Sequence, residues 1–211
     1  MNLSHIKGLH RARILRNHPE LRLNLACGRN TKLGWMNIDF TPEADFALDL
    51  RKPLPFQDNS CSMVYSEHFL EHVEYPHEAE AFLREVFRVL KGGGVFRVGV
   101  PDTETAIAAY MEGEKSAYYS MIRERQLCPD WCKTPMEHLN VHFRHWDHCF
   151  AYDFETLESV LKRCGFVEIA RRPFDPELDS ALREGVTMYV DASKPHDRPD
   201  PTTRDSKWTA V

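Results

Sequence analysis

The sequence lacks long apolar segments and has no excess of positive charge. No hydrophobic run approaches the roughly 18 residues that a membrane span requires, so the sequence predicts no membrane-spanning helix. Lysine and arginine total 27 against 32 aspartates and glutamates, and the net charge of −5 argues against a nucleic-acid partner held by bulk charge. The first twenty residues contain no apolar stretch of the signal-peptide type, which predicts a cytoplasmic protein.

The sequence also lacks the regular cysteine spacing of a disulfide framework or a common zinc finger. Its six cysteines are scattered, so reduced thiols are expected. Four potential zinc ligands do lie close together, and a zinc site remains an alternative for Cys128, Cys132, His138 and His142. Because their spacing matches no common zinc motif, we predict no metal.

Short apolar segments alternate with amphipathic patterns, which predicts an α/β protein. Strands are predicted at 21–27, 35–40, 46–50, 63–66, 95–100, 166–170 and 186–190. Helices are predicted over 78–90 and 153–164, ended by the glycines at 92–94 and by Gly165. The expected fold is a Rossmann-like, seven-stranded, mostly parallel sheet with helices on both faces and a helical cap insertion.

We expect one domain over residues 1–191. Within it, residues 1–20 form a basic N-terminal arm, and residues 103–150, rich in tyrosine, histidine and tryptophan, form a substrate cap insertion. The Pro-, Asp- and Ser-rich residues 192–211 are predicted to be a disordered tail.

Polar residues follow successive predicted strands, where open α/β sheets bind their ligands. Gly28, Asp39, Asp49 and Glu67 lie at or near the ends of the first four strands. The G-x-G-x-x-G turn of dinucleotide-binding oxidoreductases is absent, and Asp39 comes eleven residues after Gly28 instead of about twenty. This pattern favours a ligand with a ribose and no diphosphate.

Four segments together resemble the class I S-adenosylmethionine (SAM)-dependent methyltransferases. They are LNLACGRNTKLGWMNIDF, ALDLRKPLPFQDNSCSMVYSEHFLEHV, AFLREVFRVLKGGGVFRVGVPD and HFRHWDHCFAYDFETLESVLKRCGFVEI. In order, they are similar to the compact form of the type 11 methyltransferase-like branch. The resemblance implies SAM as cofactor and S-adenosylhomocysteine (SAH) as product.

The resemblance also implies a set of cofactor-binding residues. The turn at Gly28 would lie along the methionine part of SAM, and Asp39 would bind the ribose. Asp49 would accept a hydrogen bond from the adenine amino group. Ser66 and Glu67 would close the floor beside the methyl group. The full set is Ala26, Cys27, Gly28, Asp39, Phe40, Asp49, Leu50, Ser66 and Glu67.

The first of these segments, LNLACGRNTKLGWMNIDF, departs from the family pattern in the turn after its first strand. Ala26 and Asn30 replace glycines, and the helix expected between the first two strands is missing or reduced to a turn. These departures leave open a SAM- or nucleoside-binding protein without methyl transfer.

Histidines supply candidate bases for methyl transfer, because imidazole titrates in the useful range. Spacing by four predicts that His68 and His72 share one helical face and that Glu67 and Glu71 share another. A second group, if helical, would line the mouth of the sheet: Glu137, His138, His142, His145 and His148. The predicted catalytic candidates are His68, Glu67, His145 and His148.

The expected activity is SAM-dependent methyl transfer to an O or N nucleophile of a small molecule or glycan. A protein or RNA methyltransferase is the alternative suggested by the basic arm, and an NAD-dependent oxidoreductase is more distant. The sequence does not predict an oligomeric state.

Overall fold

The structure, a computed structural model, describes residues 21–196, which fold around one mixed β-sheet. Its strands are β1 Leu21–Leu25, β2 Met36–Ile38, β3 Cys61–Glu67, β4 Leu90–Pro101, β5 Val167–Arg172 and β6 Thr187–Ser193. The spatial order is β2-β1-β3-β4-β6-β5. The first four strands pair in parallel, whereas β6 runs antiparallel to both β4 and β5.

Five α-helices connect these strands within the described residues. They are α1 His77–Val89, α2 Thr103–Glu112, α3 Ala117–Glu124, α4 Pro135–Arg144 and α5 Phe154–Arg163. Short 3-10 turns occupy Leu70–His72, His145–Asp147 and Ala181–Arg183. Across residues 21–196 we find no helix with the length and apolarity needed to cross a membrane, and the cytoplasmic location stays a prediction.

Helices α1 and α5 cover an apolar face of the sheet. The rings of Phe82 on α1 and Phe166 after α5 both approach Phe96 on β4, with centroid distances of 6.4 and 5.9 Å. Arg163 on α5 also contacts Glu80 on α1, at 3.0 Å from Nε to Oε1. The two helices therefore lie side by side over the same strands.

The opposite face of the sheet carries a buried polar cluster around Arg97. Neighbouring residues of a strand point to opposite faces, so Arg97 lies on the other side of the sheet from Phe96. Arg97, next to Phe96, donates from Nε to Asp179 Oδ1 at 2.9 Å and from Nη2 to the Pro173 carbonyl oxygen at 2.9 Å. Its guanidinium lies 5.0 Å from the ring centroid of Tyr189 on β6. Within the described residues, the segment 173–179 covers this part of the face without an α-helix.

Within residues 21–196 the sheet has six strands instead of the seven predicted. The segment predicted as the third strand, 46–50, forms only one parallel bridge, between Ile38 and Phe46. Its side chains alternate in burial as a strand's would, with Phe46, Leu48 and Leu50 in the core. The ladder ends there because its neighbour β2 is only three residues long.

The predicted glycine cap of α1 is wrong. The helix ends at Val89, and β4 begins directly at Leu90, so the glycines at 92–94 lie inside a strand. Gly94 is needed there because an added Cβ would lie 2.9 Å from the Lys91 carbonyl oxygen. The prediction for α5 is confirmed, since Gly165 follows its last turn with a φ of +98°.

The predicted tail starts too early. Strand β6 continues through Ser193, which pairs with Val95 and Val167. The predicted arm at 1–20 and residues 197–211 of the tail lie outside the described residues.

Candidate functional site

Two adjoining cavities lie at the carboxyl ends of the parallel strands. The strand-end cavity, about 530 Å³, is lined by residues that follow β1, β2 and β3. The cap cavity, about 360 Å³, is lined mainly by residues of α3, α4 and the segments after them. The shared wall, common to both cavities, consists of His68, His72, Leu182 and Arg183.

The turn after β1 reaches β2 without a helix, as the sequence predicts. Ala26 and Gly28 both adopt left-handed backbone angles, with φ of +55° and +51°. Asn24 Nδ2 braces the turn by donating to the Asn30 carbonyl oxygen at 2.8 Å and to Asn37 Oδ1 at 2.9 Å. The side-chain amides of β1 and β2 thus hold the turn in place of a crossover helix.

Asp39, at the end of β2, is oriented by backbone donors on the edge of the strand-end cavity. Its Oδ2 accepts from the Gly28 N–H at 2.9 Å, and its Oδ1 accepts from the Phe40 N–H at 2.6 Å. Oδ1 also accepts from the Thr41 N–H at 3.2 Å, so of the roughly four acceptor positions of a carboxylate one, on Oδ2, remains for a ligand hydroxyl group.

The floor of the strand-end cavity is formed by Tyr65 and Glu67, which alternate on β3 and so share a face. Glu67 is buried, and its Oε1 accepts from the Tyr189 hydroxyl at 2.6 Å. Arg183 Nη1 lies 3.9 Å from Glu67 Oε2. The buried Tyr65 hydroxyl has no hydrogen-bond partner among the described residues.

The structure brings together five of the nine predicted cofactor residues. Phe40 is 57% exposed, and the Asp49 carboxylate is paired with Arg51 at 3.0 Å. Leu50 and Ser66 are buried away from the cavity lining. The residues that do line the strand-end cavity are Ala26, Cys27, Gly28, Asp39 and Glu67.

His68 occupies the junction of the two cavities in a left-handed conformation, with φ of +55°. Its Nε2 lies 2.8 Å from Thr187 Oγ1, and its Nδ1 lies 3.3 Å from Glu71 Oε1. Burial lowers the pKa of His68 well below its usual range. Burial also raises the pKa of Glu71 to about 8.

The predicted helical face shared by His68 and His72 is wrong. Glu67 is the last residue of β3, and only the 3-10 turn Leu70–His72 follows. The two imidazoles instead approach one carboxylate, since His72 Nε2 lies 3.8 Å from the same Glu71 Oε1.

The cap histidines divide into those that face the cavity and one that does not. His138 and His142 on α4 line the cap cavity, and His148 lines it from beyond the helix. His145 lies outside the lining and contacts Trp131 and Trp146, with ring centroids 6.0 and 4.4 Å away. The backbone turns at Trp146, whose φ is +59°, and this turn separates His145 from His148.

Glu137 caps α4. Its Oε2 accepts from the Thr134 N–H at 2.9 Å, and the Glu137 N–H donates to Thr134 Oγ1 at 3.2 Å, which completes a capping box.

Sequence reasoning missed Tyr65, Leu182 and Arg183. The period of two along β3 could have identified Tyr65, because it lies two residues before Glu67. Leu182 and Arg183 carry no local motif, and their segment is joined to β3 by long-range contacts such as that between Arg183 Nη1 and Glu67 Oε2 at 3.9 Å.

Two groups of side chains have metal-ligand geometry among the described residues. Ligand atoms of Cys128, Cys132 and His138 lie within 4.8 Å of one another. The fourth residue of that sequence cluster, His142, is not part of the group; its Nε2 lies 3.0 Å from Thr103 Oγ1. The second group, which the sequence did not predict, is Glu71, His72 and His148.

Residues 25–98, which contain the first turn, Asp39 and the floor of the strand-end cavity, match the family model of a methyltransferase domain. The chain carries a methyltransferase domain. Its α/β fold and the cavity at its strand ends are those that the resemblance to SAM-dependent methyltransferases implied. No curated protein matches the chain significantly.

Solved structures share the fold at low sequence identity. A SAM-dependent methyltransferase from Thermotoga maritima, described as a possible histamine N-methyltransferase, has a TM-score of 0.50 and 16% identity over 90% of this chain and 89% of its own. A SAM-dependent methyltransferase from Archaeoglobus fulgidus has a TM-score of 0.50 and 15% identity over 90% and 95%. A possible exported protein from Bordetella parapertussis has a TM-score of 0.51 and 13% identity over 90% and 67%.

Proposed function

We propose that this methyltransferase transfers a methyl group from SAM in the strand-end cavity to an O or N nucleophile of a small molecule or glycan in the cap cavity. The observation that carries this proposal is the shared wall, where His68 borders both cavities. Methyl transfer is a direct displacement, so donor and acceptor must be held close and aligned. Two cavities that meet at one wall provide this arrangement.

The residues of the strand-end cavity fit the cofactor. Asp39 is oriented by the Gly28 N–H and would accept a hydrogen bond from a ribose hydroxyl group. The buried Tyr65 hydroxyl, unpartnered within residues 21–196, offers a further polar contact on the floor. When bound, SAM would supply a methyl group on a sulfonium, which is already a good leaving group.

His68 would act on the acceptor. Its imidazole lies on the shared wall, and Thr187 and Glu71 contact its two ring nitrogens at 2.8 and 3.3 Å. These contacts fix the ring and engage both of its nitrogens, so the nucleophilic atom would replace the longer contact, with Glu71, in order to hydrogen-bond to Nδ1. Glu67 instead accepts a hydrogen bond from the Tyr189 hydroxyl, so its contribution would be to support the floor of the strand-end cavity.

The cap cavity supports a small acceptor. Its volume of about 360 Å³ suits a compact organic ligand, and its lining combines Tyr118, Leu127 and Val141 with histidines. Aromatic and aliphatic walls with a few polar groups are typical of small-molecule sites.

The test is label transfer from methyl-tritiated SAM to a panel of sugars, phenols and amines. The wild-type protein is expected to label at least one acceptor class and to form SAH. His68→Gln should lower turnover by at least about a hundredfold, and far more than it lowers SAH affinity. The exposed His77→Gln serves as the matched control and should retain turnover. SAH binding without label transfer to any acceptor would favour a ligand-binding protein instead.

A further inference from the structure

Three ligand-bearing side chains from separate parts of the chain converge beside the shared wall. Glu71 and His72 lie in the 3-10 turn after β3, and His148 follows α4. One ligand atom from each lies within 4.8 Å of the others, and the two imidazole rings meet edge to face at 5.0 Å. Two imidazoles and one carboxylate form a ligand set that divalent transition metals take in proteins.

Backbone hydrogen bonds hold the two parts together. The N–H groups of Cys149 and Phe150 both donate to the Glu71 carbonyl oxygen, at 2.7 and 3.2 Å. His148 Nδ1 lies 2.7 Å from the His142 carbonyl oxygen. Because a carbonyl only accepts, Nδ1 carries the hydrogen and Nε2 keeps its lone pair. A carbonyl that accepts from the other ring nitrogen in this way fixes the tautomer of metal-binding histidines.

Glu71 is buried but lacks the hydrogen-bond partners that a buried carboxylate with a purely structural role would have. Its side chain is 1% exposed, and neither carboxylate oxygen accepts a hydrogen bond within the described residues. The nearest imidazole nitrogens are His68 Nδ1, at 3.3 Å from Oε1, and His72 Nε2, at 3.8 Å from the same oxygen. Leaving a buried carboxylate without partners costs free energy, and a bound cation would offset that cost.

We propose that Glu71, His72 and His148 bind a divalent first-row transition-metal ion. His72 and His148 line the cap cavity, so the ion's remaining coordination positions would open toward the acceptor and take one of its hydroxyl oxygens. The acceptor's part in this inference rests on the proposed function, whereas ion binding does not.

The other group with metal-ligand geometry, which contains Cys128, Cys132 and His138, gives the competing location for an ion. Cys128 and Cys132 would bind through thiolate sulfur, whereas the Glu71 group offers only nitrogen and oxygen. Cobalt(II) distinguishes the two, because thiolate ligands add an intense near-ultraviolet charge-transfer band and imidazole and carboxylate ligands do not.

The experiment titrates cobalt(II), and separately zinc(II), into the untagged, chelator-stripped full chain, followed by calorimetry and absorption. One equivalent is expected to bind with weak visible bands and no thiolate band. Glu71→Gln and His148→Gln should each weaken binding by at least about a hundredfold, at or beyond the loss caused by removing a group that only orients a metal ligand. His77→Gln and the double variant Cys128→Ser, Cys132→Ser should bind as the wild type does.

An intense thiolate band that disappears in the double serine variant would overturn the proposal, as would the absence of saturable binding. The SAH thermal shift of each variant, measured without metal or acceptor, checks that the fold and the cofactor site persist. If SAH does not raise the thermal midpoint of the wild type, that result counts against the proposed function. The cobalt titration reports only on the group of Glu71, His72 and His148.

Discussion

Asp39 Oδ2 accepts a hydrogen bond from the Gly28 N–H at 2.9 Å, which ties the end of β2 to the turn after β1. The carboxylate therefore has two tasks, since it shapes the turn and faces the ligand. We expect Asp39→Asn, which keeps one acceptor oxygen but loses the charge, to weaken SAH binding by about 10- to 100-fold. Calorimetric titration with SAH measures this.

The exposed Asp58→Asn is the control for a lost surface carboxylate and should leave SAH affinity unchanged. Wild-type affinity in Asp39→Asn would show that the ribose is held elsewhere.

The buried pair of Arg97 and Asp179 predicts a large stability effect. Both side chains are at most 5% exposed, so Asp179→Ala leaves a buried guanidinium with only partial compensation. The free energy of unfolding should fall by about 3–5 kcal/mol. The pair of Arg88 with the exposed Asp58 provides the contrast, because Asp58→Ala should cost less than about 1 kcal/mol. Urea denaturation compares the two, and equal small losses would contradict the assigned burial.

Leu127 lines only the cap cavity and is partly exposed to it. Leu127→Trp should narrow this cavity and lower kcat/KM for the acceptor by at least about tenfold, while the SAH thermal shift stays unchanged. Met136→Trp, on the outer surface of α4, adds the same ring without entering either cavity and is the matched control. A parallel loss of SAH binding in Leu127→Trp would mean that the two cavities do not divide the ligands as proposed.

Cys27 predicts a pH-dependent difference in thiol reactivity. Burial, followed by the nearby Asp39 carboxylate, raises the pKa of the Cys27 thiol to about 12. Because the thiolate is the reactive form, at pH 8 it is more than about a thousandfold scarcer than in an ordinary cysteine. Iodoacetamide should therefore label the exposed Cys149 first, and Cys27 labelling should rise about tenfold per pH unit below its pKa. Peptide mass spectrometry that finds equal labelling at pH 8 would contradict this.

The sequence was most informative where a glycine or a polar residue directly follows a strand with a clear alternation of apolar residues. Gly28 and Asp39 follow strands whose apolar alternation is plain, and the structure brings both to one cavity. The segment at 46–50 shows the limit of the same signal. Its alternating Phe46 and Leu48 predict burial correctly, but a ladder also needs a neighbour of sufficient length, and β2 does not supply one.

Long-range contacts account for the features that the sequence did not predict. Arg97 and Asp179 are 82 residues apart, and nothing local indicates that they meet. His148 reaches Glu71 only because the backbone at 149–150 pairs with the turn after β3. His145, an equally plausible histidine in the sequence, is turned aside by the left-handed backbone at Trp146.

The central claim is that the strand-end cavity binds SAM, and the thermal midpoint tests it most directly. SAH, SAM, NAD and NADP are compared in parallel on the wild type and on Asp39→Asn. A ligand at about 100 times its Kd adds roughly 2.7 kcal/mol of stability, which is an upward shift of roughly 5 to 10 °C for a chain of this size. We predict a shift with SAH and SAM alone that shrinks in Asp39→Asn. A shift with NAD, or none with SAH, would contradict the account.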